Sequence, residues 1–214
     1  MIAQHSPEAA DQSQDRDRLI RFISVAMPKN ENPAGLADRL LHQFGSYASV
    51  LSASSEELRS IHGVGQHMLS GLRVIREAAL RLHRSRLMKD AVLENREKLY
   101  EYLTAVLARE VIEQFHVLYL SPSDHLITDE AQARGTVNHT PVYPREVVRR
   151  ALELDAASVV LVHNHPSGDP SPSADDISMT RQVISAASVL GITVRDHIII
   201  GNGRRLSFSE AGLL

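Results

Sequence analysis

The spacing of apolar residues changes near residue 90, and this change divides the chain into two parts that must fold differently. Before it, apolar residues such as Leu19 and Ile23 recur at helical spacing in every periodic segment. Beyond it, short apolar runs at 115–120 and 158–163 alternate with helical segments, which is typical of strands between helices. We therefore predict a helical domain and then an α/β (α+β) domain, preceded by a polar segment too poor in apolar residues to fold. The predicted ranges are 1–15 for the disordered segment, 16–88 for the all-α domain and 90–214 for the α/β domain.

Composition and charge exclude several classes of protein. The chain has no cysteine, which excludes disulfides, thiolate zinc sites and a cysteine nucleophile. Its formal net charge of −3 excludes nucleic-acid binding through overall charge, so any basic footprint must be local. The amino terminus has no apolar run of the signal-peptide kind, and no stretch approaches the roughly 20 apolar residues of a membrane span. The expectation is a soluble, cytoplasmic protein without membrane association.

The segment 161–176 carries the clearest candidate site. His163 and His165 end an apolar run that is predicted to be a buried strand, and alternate residues of a strand face the same side. A proline-rich loop then breaks the strand, and the chain returns at Ser173 to begin a helix whose first turn contains Asp176. Two imidazoles and one carboxylate, with a fourth position open to water, are the ligands of a catalytic zinc site. The pattern therefore predicts that Zn²⁺ is bound by His163, His165 and Asp176.

A second interpretation of the same residues needs no metal. Two histidines two positions apart occur by chance in a chain that has eleven histidines. Ser173 and Asp176 have the spacing of a helix capping box, and acidic residues are favoured at the positive end of a helix. The placement of all three candidate ligands around a rigid loop, directly beyond an apolar strand, favours the metal site.

At these residues the chain resembles a known family. The string His163-Asn164-His165-Pro166 followed by Ser173-Ala174-Asp175-Asp176 is similar to the signature of JAMM (MPN-type) metalloproteases, and the flanking sequence resembles the RadC proteins of bacteria. The resemblance covers 90–214, and more loosely 16–88. It implies a helix-hairpin-helix domain followed by a JAMM/MPN-like (cytidine-deaminase-like) mixed sheet flanked by helices. Besides the histidine string, the similar segments are 113–115, 135–137, 144–148, 172–176 and 196–201.

The resemblance also implies roles for individual residues. Glu113 would be the general base that takes a proton from the attacking water, and Ser173 would donate a hydrogen bond to the oxyanion. From the residues alone, Glu110 and Glu146 are equal rivals of Glu113 as the base, and only the resemblance favours Glu113. His197 is interpreted as a structural histidine, with a contact to the metal ligands as the alternative.

The motif Gly63-Val64-Gly65 lies between two predicted helices and resembles the turn of a helix-hairpin-helix module. Backbone N–H groups after such a turn can hold a DNA phosphate, and Arg73 and Arg76 lie on the helix that follows. A helix end followed by a simple turn is an equally good interpretation, and the turn lacks the lysine that often follows it in such modules.

The function expected from these features is zinc-dependent hydrolysis of a peptide or isopeptide bond in a protein or peptide substrate. The alternative is a DNA-associated accessory protein of repair or recombination, in which the metal is structural and the helical module binds DNA. A metal nuclease of the HNH type is disfavoured, because such nucleases spread their His and Asn residues over a hairpin and a helix, whereas here they are consecutive.

Overall fold

The computed structural model describes residues 7–108, 110–134 and 142–214. The chain separates into two compact units, and the division falls between Ala79 and Leu80. This point lies inside a continuous helix, Gln66–Leu87, so the division precedes the boundary that the sequence predicts at residues 88–90. Each unit has its own buried core and is described by itself.

The first unit is helical. It contains α1 (Pro7–Ala26), α2 (Pro33–Phe44), α3 (Tyr47–Ser52), α4 (Ser55–Arg59) and the first part of α5 (Gln66–Leu87). Side-chain caps explain where several of these helices begin, because a cap satisfies an N–H group that has no partner inside the helix. Asn32 caps α2, Ser46 caps α3, and Ser54 forms a capping box with Glu57 at α4. The core of this unit consists of leucine and other aliphatic residues from all five helices, as the absence of tryptophan requires.

The prediction that residues 1–15 are disordered is wrong from residue 7 onward. Helix α1 begins at Pro7, eight residues before the last residue of the predicted disordered segment. Polar residues near the middle of this helix make bonds that composition alone does not reveal. The Asp15 carboxylate accepts the backbone N–H of Tyr47 at 2.8 Å and pairs with Arg18 at 2.9 Å. Residues 1–6 lie outside the described part of the chain.

The second unit is a mixed sheet between helices, which confirms the predicted fold class. Its described elements are α6 (Arg96–Leu107), β1 (Gln114–Leu120), β2 (Leu126–Arg134), α7 (Pro144–Glu153), β3 (Ser158–Asn164), α8 (Ala174–Ser188), β4 (Thr193–Ile200) and β5 (Arg205–Ser207). Within the described residues the strand order is β2-β1-β3-β4-β5. Strands β3 and β4 are parallel and are connected through α8, whereas the other neighbouring pairs are antiparallel.

Each face of the sheet is covered by different helices. Val160 and Val162 of β3 pack with residues of α6, whereas Val159 and Leu161 pack with residues of α7 and α8. All seven residues of β3 are buried, as expected for a strand that is covered on both sides. The alternation places His163 on the face that carries α7 and α8, and Asn164 on the face that carries α6.

An irregularity between β3 and β4 changes which residues of β4 face α8. Val159 pairs with Val194, but the next residue of β3, Val160, pairs with Asp196, so that one residue of β4 is skipped. Because side chains alternate along a strand, an extra residue reverses the faces beyond it. As a result His197 shares the face of His163, while Asp196 lies on the face of α6.

The two apolar runs predicted as strands, 115–120 and 158–163, agree with β1 and β3 to within one residue. Strand β5 was not predicted, because three residues are too few to show a period. The segment 135–137, which contributes to the resemblance, lies outside the described residues. In the described part of the chain, none of the helices has the length and apolar character needed to traverse a bilayer.

Candidate metal centre

The three predicted metal ligands meet at the carboxyl end of β3. His163 is the last residue but one of this strand, His165 follows it, and Asp176 lies in the first turn of α8. His163 Nε2 lies 2.9 Å from His165 Nε2 and 3.2 Å from Asp176 Oδ1. One ligand atom from each of the three side chains falls within 4.8 Å of the others. The structure therefore brings together the three residues that the sequence predicts as one group.

The other polar atoms of these side chains are already bonded. His165 Nδ1 lies 2.7 Å from the carbonyl oxygen of Asp169, and His163 Nδ1 lies 2.8 Å from His197 Nε2. Asp176 Oδ2 accepts the backbone N–H of Ser173 at 2.8 Å and the hydroxyl of Ser173 at 2.6 Å. Both Nε2 atoms also face the Asp176 carboxylate, His163 Nε2 at 3.2 Å from Oδ1 and His165 Nε2 at 3.5 Å from Oδ2.

The electrostatics of the group favour a cation at its centre. The hydrogen bond with Asp176 raises the pKa of His165, although burial acts in the opposite direction. Burial would raise the pKa of Asp176, but its interactions with the imidazole rings of His163 and His165 outweigh burial and hold that pKa far below its usual range. The carboxylate is therefore ionised. Its negative charge attracts a proton or a metal ion into the space between it and the two imidazole rings.

The side chains present fit a divalent metal ion, and zinc in particular. Two lone-pair nitrogens and a carboxylate oxygen converge, and without a proton or a metal ion among them these acceptors would repel one another. An Nδ1 atom held by a carbonyl, as in His165, leaves Nε2 as the coordinating atom, which is the usual arrangement of a zinc-binding histidine. Imidazole and carboxylate together suit zinc better than calcium or magnesium, which prefer oxygen ligands.

The pairing of β1 with β3 decides where the three candidate glutamates lie. Phe115 pairs with His163 in the last pair at this end of the two strands, and Glu113 lies two positions before Phe115. Directly opposite residues of antiparallel strands project to the same face of the sheet. Glu113 is also close enough to His165 that its charge adds to the effect of Asp176 on the pKa of that imidazole.

The rivals of Glu113 lie elsewhere. The Glu110 carboxylate accepts a hydrogen bond at 2.7 Å from the side chain of Gln114, whose position in β1 gives it the opposite face from Phe115. Glu146 lies in the first turn of α7 and pairs with Arg149 at 3.1 Å. Of the three, Glu113 is the one whose charge acts on the pKa of His165, and its role as a base stays a prediction.

Asn164 is a functional candidate that sequence reasoning left without a role. Its side chain is 1% exposed and makes three hydrogen bonds to the backbone at and just before the start of β1. Oδ1 accepts the N–H of Gln114 at 2.8 Å, and Nδ2 donates to the carbonyl oxygens of Glu110 and Ile112 at 3.1 and 3.2 Å. These bonds hold the backbone on both sides of Glu113. In the sequence, the only signal for this role was the position of Asn164 between two candidate metal ligands.

Ser173 occupies the position that the second interpretation of the sequence anticipated. It is the N-cap of α8, and both bonds of the capping box with Asp176 are present. Its hydroxyl accepts the N–H of Asp176 at 3.1 Å while donating to the carboxylate. The capping box bonds to Oδ2, the oxygen 3.5 Å from His165 Nε2, and leaves Oδ1 without a bond to Ser173 at 3.2 Å from His163 Nε2. The predicted bond from Ser173 to an oxyanion stays a prediction.

The loop after His165 is held against the chain that follows β4. His165 N–H donates to the carbonyl oxygen of Ile200 at 2.9 Å. A Cβ atom at Gly201 would lie 2.3 Å from the carbonyl oxygen of Gly168, so only glycine allows this approach. The loop thereby carries the Asp169 carbonyl to the Nδ1 atom of His165.

The residues predicted to bind DNA lie in the helical unit. Gly63 has a φ of 97°, the left-handed conformation that favours glycine, and the turn that contains it joins α4 to α5. Gly65 directly precedes α5, whose first turn contains no acidic residue. Arg73 is exposed on α5, and Arg76 is partly buried there. A turn with a left-handed glycine therefore joins two helices, and both a helix-hairpin-helix module and its binding of DNA stay predictions.

Comparison with known proteins agrees with this geometry. The family described as RadC-like JAB domain matches residues 93–213. A UPF0758 protein of Rhodobacter capsulatus is 48% identical over 205 residues, which are 96% of this chain and 95% of the relative. A UPF0758 protein of Ruegeria pomeroyi is 48% identical over 196 residues, covering 92% of this chain and 86% of the relative. The match to the family spans more than half of the sequence and includes the whole candidate metal centre, so this chain belongs to the RadC family of proteins with a JAB domain.

Proposed function

We propose that this protein is a zinc-dependent hydrolase that cleaves a peptide or isopeptide bond. The observation that carries the proposal is the convergence of His163, His165 and Asp176 within 4.8 Å, with the charge of Glu113 close enough to raise the pKa of His165. A structural zinc site uses four protein ligands, whereas a catalytic site uses three and leaves one position open. Three candidate ligands beside an acidic side chain therefore favour catalysis.

The residues of the chain have distinct tasks in this reaction. Zinc held by His163, His165 and Asp176 would act as a Lewis acid and lower the pKa of water towards about 7. The Glu113 carboxylate accepts a proton from the attacking water and passes it to the nitrogen of the leaving amine. A bond forms between the water oxygen and the carbonyl carbon, the C–N bond breaks, and a carboxylate and an amine result. The Ser173 hydroxyl would donate to the oxyanion after releasing Asp176.

The first test is removal and return of the metal. Full-length protein is expected to contain zinc in an equimolar amount and to cleave members of a panel of peptides and isopeptide-linked peptides. A chelator should abolish cleavage, and added zinc should restore it. Protein that retains equimolar zinc and cleaves no member of the panel would count against hydrolysis and in favour of a structural metal.

A second proposal concerns DNA and the hairpin of α4 and α5. The N–H groups that begin α5 follow a glycine turn and are not neutralised by an acidic residue in the first turn. Such a helix end attracts phosphate, which supports contact with a DNA backbone in a protein whose JAB domain carries the metal.

The proposal of DNA binding is tested by a salt series. The apparent binding constant for duplex DNA should fall steeply with salt concentration, since each phosphate contact releases a counterion. Replacing the exposed Arg73 with Gln should reduce the slope of log K against log salt by about 1. Binding that is absent or insensitive to salt would contradict the proposal.

A further inference from the structure

A buried histidine outside the predicted ligand set connects two of its members. His197 is completely buried, and its Nε2 atom lies 2.8 Å from His163 Nδ1. On the other side of the ring, Nδ1 lies 2.6 Å from the hydroxyl oxygen of Thr180, which is itself 1% exposed. The same hydroxyl lies 2.6 Å from the backbone carbonyl oxygen of Asp176, one turn earlier in α8. A hydrogen-bond chain therefore runs from Asp176 through Thr180 and His197 to His163.

The direction of this chain is determined at its first bond. A carbonyl oxygen can only accept, so the Thr180 hydroxyl must donate to Asp176 and can only accept from His197. The proton of the His197 ring is therefore on Nδ1. The ring packs against Phe115 and Phe208, with centroids 6.0 and 4.5 Å away, and an apolar, buried environment disfavours a second, charging proton.

The state of His163 follows from that of His197. With its only proton on Nδ1, His197 presents a lone pair at Nε2 and accepts a hydrogen bond from Nδ1–H of His163. The His163 ring then carries its proton on Nδ1, and its Nε2 lone pair is directed at His165 and Asp176. This tautomer can coordinate a metal through Nε2, whereas the other tautomer has a proton where the metal would be.

We propose that Thr180 and His197 are positioning residues that fix His163 in its metal-binding tautomer. This inference rests on the metal site of the proposed function. It adds an explanation of how one of the ligands, His163, is oriented. The chain begins at the backbone of Asp176 and ends at His163, so it also ties the first turns of α8 to the end of β3. His165 needs no equivalent, because the Asp169 carbonyl fixes its tautomer directly.

Removing a single hydroxyl group should break the chain. Valine has nearly the shape of threonine but cannot accept the Nδ1 proton of His197. In T180V, neither tautomer of His197 finds a partner for its Nδ1 atom, and the proton is free to move to Nε2. His163 must then accept at Nδ1 and carry its own proton on Nε2, in competition with the metal. Serine retains the hydroxyl, so T180S is the matched control.

The experiment measures zinc affinity and histidine tautomers in the full-length protein. We expect T180V to bind zinc about 10- to 100-fold more weakly than wild type, the range typical of losing a partner of a metal ligand, and T180S to remain close to wild type. Long-range ¹H–¹⁵N spectra of the metal-free proteins should show the His163 proton on Nδ1 in wild type and T180S, and on Nε2 or divided between both nitrogens in T180V.

Two results would overturn the inference. One is a His163 ring that carries its proton on Nε2 in metal-free wild-type protein, a measurement that requires no variant to fold. The other is an equal loss of zinc affinity in T180S and T180V with the tautomer of His163 unchanged in both. If wild-type protein binds no zinc but the spectra show the expected tautomers, the proposed metal site fails, and only the assignment of the His163 tautomer to Thr180 and His197 stands.

Discussion

Replacing Glu113 with glutamine is expected to reduce peptide-bond hydrolysis by about 10²- to 10⁴-fold, the usual contribution of a general base. Glutamine has the same shape and can still donate or accept hydrogen bonds, but it cannot take a proton from water. The zinc content should not change, because Glu113 is not one of the three converging ligands. The measurements are the turnover rate on a cleavable peptide and elemental analysis of the same preparation.

The matched control for this prediction is Glu146→Gln. Glu146 is also a glutamate that the sequence leaves as a candidate base, but it lies on α7 and pairs with Arg149. Its replacement removes the same charge and should leave the turnover rate near that of wild type. Equal activity of E113Q and wild type would remove Glu113 from the mechanism, whereas a selective loss in E146Q would assign the base to α7.

The metal ligands could be predicted from the sequence because the signals for them are local. His163 and His165 share a face through the two-residue period of a strand, and Asp176 is placed by the start of a helix three residues after Ser173. The intervening loop of 166–172 is too short to carry these elements apart. All three residues lie within 163–176, so their proximity could be predicted from this segment alone.

The choice among the glutamates could not be made from local signals. Glu113 and His165 are separated by 52 positions in the sequence, and the pairing of Phe115 with His163 brings the adjoining ends of β1 and β3 together. A change of register by one residue would direct Glu113 to the opposite face, where Gln114 bonds to Glu110. Apart from the family resemblance, the sequence around Glu113 contains no signal for how β1 pairs with β3.

His197 was interpreted as a structural histidine, and the irregular pairing of β3 with β4 explains why its contact was hard to foresee. Regular alternation from Val194 would direct Asp196, not His197, towards α8. The skipped residue reverses this pattern and leaves Asp196 fully buried on the other face, where it accepts hydrogen bonds from Ser207 at 2.6 Å and Ser209 at 2.9 Å. Both roles depend on one feature of strand pairing that has no signature in the sequence.

Replacing Asp176 with asparagine is expected to weaken zinc binding by more than about 100-fold, because the loss of a ligand should exceed the 10- to 100-fold cost of losing a ligand's partner. The carboxylate supplies the negative charge of the site, and its Oδ1 atom lies 3.2 Å from His163 Nε2. An amide of the same shape lacks this charge and can present an N–H group to the metal. Elemental analysis and competition with a chromophoric chelator would measure the change.

The adjacent residue provides a matched control. Asp175 lies in the same first turn of α8 but is exposed, so Asp175→Asn removes an equal charge from the same end of the helix. Both substitutions weaken the interaction with the helix dipole, whereas only D176N removes a converging oxygen. D175N should therefore retain equimolar zinc.

Stability measured with and without zinc separates loss of a ligand from loss of the fold. A protein that binds zinc only in its folded state gains about 2.7 kcal/mol when free zinc is 100 times Kd. Wild type and D175N should show this gain in denaturant unfolding, and D176N should unfold cooperatively yet gain far less. Because Asp176 also completes the capping box with Ser173, D176N is expected to be less stable than D175N even without metal. If D176N and D175N bound zinc equally well, Asp176 would be only a helix cap, and the proposed metal site would lose its single anionic ligand.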